Sequence, residues 1–156
     1  MTTNSADQKF DWETMAAMNQ DGQNGAVTAA YAAIADQDEA TRKESLSKAI
    51  HAVYRMPDDQ LRSMTEARLR AWLALPDDKA ATVGNSFESV MDTMPAEIAM
   101  RRVTVVQSVA HKLKPDELEH LQRIVPRVLG DAPKVTPTAM PAESNSRPWW
   151  KFWASA

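Results

Sequence analysis

The chain has no cysteine. Disulfides, thiol nucleophiles and thiolate metal sites are thereby excluded, and the composition suits a reducing compartment. Glycine is also scarce, with four in 156 residues. No glycine-rich phosphate loop can be built from them, and Gly84, within an apolar helical pattern, is read as a point of close helix packing. Positive charge is not in excess either: the formal net charge is −3. Nucleic acid is therefore not an expected partner, because neutralising phosphates requires clustered Lys and Arg. No apolar run approaches the roughly 18 residues of a spanning helix. Met1 to Lys9 is polar and includes Asp7, so no secretory leader is expected there. A cytoplasmic chain is the expectation.

What remains favours helix. Ala, Leu, Met, Glu, Lys and Arg are abundant and there are only two tyrosines, a composition biased toward α structure. The clearest pattern is a repeated start. Met56-Pro57-Asp58-Asp59, Leu75-Pro76-Asp77-Asp78, Met94-Pro95-Ala96-Glu97 and Lys114-Pro115-Asp116-Glu117 share one form, with prolines 19, 19 and 20 residues apart. Proline suits the first helical position, where it has no N–H to lose, and it stops the helix before it. Acidic side chains in the first turn meet the positive end of the helix dipole.

Helices are expected at 57–74, 76–92, 95–113 and 115–129, each ~25 Å long at 1.5 Å per residue. The second carries Ala80, Val83, Gly84, Phe87, Val90 and Met91 at helical spacing. The third carries Ala99, Val103, Val106, Ala110 and Leu113, and the fourth Leu118, Leu121, Val125 and Val128. The first, with Leu61, Met64, Leu69 and Trp72, is less regular. Val103 to Val106 is β-branched but is read as helix because its flanks are helical. Pro126 predicts an end near Arg123 to Val125.

Upstream, Ala26 to Ala35 and Glu39 to Tyr54 read as two helices, with Asp36 or Asp38 as cap, or as one long helix. Residues 1–24 read as a mobile arm, Asn19 to Asn24 included, with a short amphipathic segment. In it Phe10, Trp12, Met15 and Met18 either pack back on the body or form a second docking peptide. Residues 25–130 would be the body: an all-α, up-and-down bundle of five to six short helices with proline-initiated starts. Pairs of about 38 residues make a short α-solenoid the rival architecture.

Residues 131–145 form a Pro/Ala/Ser/Thr stretch with nothing to bury, which reads as a flexible linker. A tryptophan-rich tail, residues 146–156, follows. Trp149, Trp150, Phe152 and Trp153 are four of the chain's ten aromatics, placed where a bundle does not need its core. On a helix at about 100° per residue they share one side, while Arg147 and Lys151 lie opposite. Half-burying four large aromatics is worth on the order of 10 kcal/mol before ordering costs, which return much of it. Reversible docking on a membrane interface or in an aromatic-accepting groove of a partner fits this chemistry. The bland reading is that the tail closes the bundle's own seam.

Catalytic signatures are missing. His111, His120 and Glu117 are weak candidates for a metal or haem ligand set. Glu117-x-x-His120 has the spacing used in dimetal bundles but lacks a second such pair. Glu44, Glu88 and Glu97 qualify only by being acidic, and His51 reads as a boundary residue. Arg68, Arg70, Arg101 and Arg102 read as solvated helix faces, and the methionines mostly as core filling. The functional expectation is a non-enzymatic adaptor, assembly or recruitment protein with no cofactor. Its body would bind a protein partner, a second copy of the chain among the candidates. Its tail would dock on a second protein or, peripherally, on the inner face of a membrane. The alternative is a metal- or haem-binding bundle accessory to an oxidoreductase.

Overall fold

Proline chemistry at four corners sets the frame of the computed structural model, which describes residues 10–129. The linker and tail readings, and residues 1–9, lie outside the described residues. Seven helices and no strand are found among the described residues: α1 (Trp12–Ala16), α2 (Gln20–Ala35), α3 (Glu39–Val53), α4 (Asp58–Ala74), α5 (Asp77–Met91), α6 (Ala96–Ala110) and α7 (Pro115–Ile124). None is long and apolar enough to cross a membrane.

The corners differ from expectation by one position. Pro57, Pro76 and Pro95 have ψ of 157°, 145° and 151°, the extended backbone of an N-cap rather than the first helical residue. Their carbonyls accept the opening bonds of the ladder, from Leu61 N (2.9 Å), Ala80 N (2.9 Å) and Ala99 N (3.1 Å). Only Pro115 occupies the first turn. There Glu117 reaches back and its carboxylate accepts from Lys114 N at 2.8 Å. The helix after Pro115 ends at Ile124, just before Pro126 as its ring requires.

The N-terminal segment corrects the expectation of a mobile Asn19 to Asn24. Asn19 is an N-cap whose side chain accepts from Gly22 N at 2.8 Å, and α2 runs from Gln20 onward. The buried Gln23 donates to the carbonyls of Met15 and Ala16, which ties α1 to α2. Alanine richness marked the middle of this helix; the polar first turn hid its start. Separate helices are confirmed at the next corner, where Asp38 accepts from Thr41 N at 2.7 Å.

The helices form one bundle with a continuous core. Its strongest packing is not between chain neighbours, as short corners suggested, although neighbours do touch. The most extensive contacts join alternate helices: α2 with α4, α3 with α5, and α4 with α6. The irregular pattern of α4 explains this. Leu61, Met64, Thr65, Ala67, Arg68, Leu69, Ala71 and Trp72 are all buried, so α4 is covered around most of its circumference. On α6 the buried stripe is Arg102, Val105, Val106 and Val109, while Ala99, Val103 and Ala110 are half-exposed. The apolar stripe is thus rotated by about one position from the expected one.

Gly84 does serve close packing: a Cβ there would collide with the Val125 side chain. Alanine would gain ~1 kcal/mol of helix propensity but overpack by about 1–3 kcal/mol. Gly84→Ala is therefore expected to lower the melting temperature. Adding Val125→Ala should recover part of the loss in a double-mutant cycle.

Acid sensitivity follows from the caps and exposed pairs. Hydrogen bonds from Thr14, Thr41 and Arg101 hold the carboxyls of Asp11, Asp38 and Asp58 below the usual value of 3.8, and Arg127 does the same for Asp92. Groups with a lowered folded pKa stabilise above the unfolded value and lose that contribution as pH falls through the folded one. The expected result is a decline in melting temperature below about pH 4, with a shallower acid limb in Asp38→Ala, measured by circular dichroism.

Candidate functional site

Four aromatic rings run through the core in edge-on and tilted contact. Trp12 lies 5.6 Å from Tyr31, Tyr31 lies 5.9 Å from Trp72, and Trp72 lies 5.4 Å from Phe87, centroid to centroid. The last two contacts are close to perpendicular, at 83° and 74°, the geometry that ring quadrupoles favour. Phe10 extends the series at 5.9 Å from Trp12.

Arg68 sits against this aromatic series, 4% exposed. Its guanidinium lies 4.2 Å over the Phe87 ring and 5.3 Å from that of Trp72, so cation–π attraction replaces part of its lost hydration. Nη1 donates to the Tyr54 hydroxyl at 3.4 Å, a long bond. Burial opposes the charge, but Tyr54, Tyr31 and Glu88 outweigh it, and the pKa is raised. Burial also pushes the Tyr31 phenol up, so it stays protonated. Thr65 precedes Arg68 by three residues, on the same face of α4. Thr65, Arg68, Tyr54, Tyr31 and Trp12 line one small cavity.

A second buried group lies farther along α5. Arg102 Nη2 donates to Glu88 Oε1 and, at 2.7 Å, to the Arg127 carbonyl. Glu88 and Arg102 are 2% and 4% exposed. Burial raises the Glu88 pKa, against the pull of Arg102 and then Arg68.

Two of the four arginines overturn the solvated-face reading. Arg68 and Arg102 are interior. Arg101 donates to the carbonyls of Tyr54 and Met56 and to Asp58, closing the corner between α3 and α4. Arg70 pairs with Glu66 at 3.0 Å. A signal was present: Thr65, Arg68 and Trp72 fall on one helical stripe, as do Gly84, Glu88 and Met91. Charged residues inside an apolar stripe were the cue.

The expected site residues are distributed as follows. Arg147, Trp149, Trp150, Lys151, Phe152 and Trp153 lie outside the described residues. Trp12 is buried, Phe10 and Met15 pack against the core, and Met18 is exposed. The first three of the N-terminal set therefore belong to the body and offer no free docking peptide. His111, His120 and Glu117 are not brought together. His111 is an exposed C-cap of α6, His120 bonds Asp77 at 2.9 Å, and Glu117 caps α7. No group of three metal-ligating side chains occurs among the described residues.

Comparison with family models, curated proteins and solved structures finds no match to this chain.

Proposed function

We propose that the chain is a non-enzymatic recruitment protein whose helical body carries a partner and whose tryptophan-rich tail fixes that body to another surface. The observation that carries this reading is the closure of the body. Among the described residues only Met18 (41%) and Met100 (68%) are large hydrophobics that remain exposed. Each is isolated, and single exposed apolar residues are ordinary. Few large apolar side chains of the described residues are thus left fully in solvent for Trp149, Trp150, Phe152 and Trp153 to cover. Their apolar area finds its counterpart elsewhere, with Arg147 and Lys151 suited to an acidic rim.

The test compares the full chain with one ending at Asn145. Co-sedimentation with anionic and neutral vesicles reads lipid docking, and capture of partners from a native extract reads protein docking. The full chain is expected to bind vesicles, or to capture a protein that the shortened chain does not, while both chains keep the partner of the body. Identical behaviour of both chains in every assay would overturn the proposal. The metal or haem reading has no such support among the described residues, where His120 bonds Asp77, Glu117 caps α7 and His111 ends α6.

A further inference from the structure

Arginine presents two kinds of recognition surface: the flat faces of its guanidinium and the donor edges around it. In Arg68 the faces are taken by Phe87 and Trp72, at 4.2 Å and 5.3 Å, and Nη1 by the Tyr54 hydroxyl. What is left is the fork edge. Nε and Nη2, the pair that grips anions side-on, have no hydrogen-bond partner although the residue is buried. The Thr65 hydroxyl, one helical turn back on the same face and lining the same cavity, is likewise buried without a partner. Buried donors left in that condition are costly.

The charges are unequal as well. Two buried guanidiniums, Arg68 and Arg102, share the carboxylate of Glu88, whose Oε1 is engaged by Arg102; the other buried carboxylate, Glu66, is taken by Arg70 and Lys112. The cavity beside the fork has room for about one water molecule, and its other walls include Trp12, Val27, Ile50 and Met64. A tetrahedral oxyanion is far too large for such a space; among anions a single halide ion comes nearest in size.

We propose that the Arg68 fork and the Thr65 hydroxyl bind a small monovalent anion of chloride size, which serves as the interior counter-ion of the bundle. Trp12 covers the site from α1, so the ion is held only while α1 is seated. This inference stands apart from the recruitment reading.

The experiment is urea unfolding of the full chain in sodium chloride against sodium gluconate at equal ionic strength, with chlorine-35 NMR line width as a second reading. Chloride is expected to stabilise with the logarithm of its concentration above Kd, raising the folded-to-unfolded ratio about tenfold at ten times its Kd. Folded protein should broaden the chloride line, and bromide should reverse the broadening. Thr65→Val keeps the shape but removes a donor to a charged partner, so chloride affinity should fall about tenfold. Equal unfolding midpoints in the two salts, as a bound water would give, would overturn the proposal. So would a chloride effect that Thr65→Val leaves intact, or a wild-type protein that does not broaden the line.

Discussion

Arg102→Leu is expected to lower stability by about 3–5 kcal/mol at neutral pH, because it leaves a buried carboxylate without its partner. Glu88 is 2% exposed and its pKa is already raised by burial; without Arg102 it rises further. The sign of the pH dependence follows. A carboxyl whose folded pKa exceeds its unfolded value contributes fully below the unfolded value, and that contribution is lost as pH rises through the folded one. The defect of Arg102→Leu should therefore shrink on acidification from pH 7 toward the unfolded value of 4.5. Replacing both members, Glu88→Leu with Arg102→Leu, should recover most of the loss, since an apolar pair removes the desolvation cost along with the attraction. Recovery stays incomplete because Arg102 also holds the Arg127 carbonyl, a bond worth about 0.5–1.5 kcal/mol. Urea unfolding of the four proteins at pH 7 and pH 5 reads all of this. Strict additivity of the two single changes would contradict it.

Trp72→Ala should be as damaging, at about 3–5 kcal/mol from cavity formation alone. Trp72 is fully buried and touches Tyr31 on one side and Phe87 on the other. It also flanks the Arg68 guanidinium, so alanine withdraws one of the aromatic groups that stabilise a buried charge. Against a typical domain stability of roughly 5–15 kcal/mol, a loss of that size is expected to lower the melting temperature by about 10 °C or more. Trp72→Phe separates the causes. It keeps a ring for the cation, and it deletes an indole N–H that has no hydrogen-bond partner. Its cost should be smaller, at about 1–3 kcal/mol for the reduced volume. Equal losses in both variants would show that ring volume, rather than ring electronics and packing together, is what Arg68 requires.

The corners were legible in the sequence because their causes are local. Pro57, Pro76, Pro95, Pro115 and Pro126 fix their own backbone and that of one neighbour, and Asp38 bonds a donor three residues on. Gly84 was legible as a contact because a side chain is conspicuously missing from an apolar stripe. The order of packing was not. Whether α4 meets α3 or α2 depends on which faces are apolar all round, and the crowded pattern of α4 was taken for irregularity. The buried charges were the largest omission. Glu88 and Arg102 are 14 residues apart, as are Tyr54 and Arg68, and each is tolerated inside only because a different helix brings its partner. Read one helix at a time, a lone arginine is a surface residue; the exception appears only after assembly.

The tail stands in the opposite position. Trp149, Trp150, Phe152 and Trp153 carry a chemistry that is plain in the sequence, and the described residues 10–129 form one continuous buried core. The most direct measurement is equilibrium unfolding of the full chain beside one ending at Asn145, under identical conditions. A closed body predicts coincident transitions, with the same midpoint and the same denaturant slope. A loss of about 3 kcal/mol or more in the shorter chain, the cost of removing a buried tryptophan, would mean that the indoles belong to the core. The recruitment account would then be wrong.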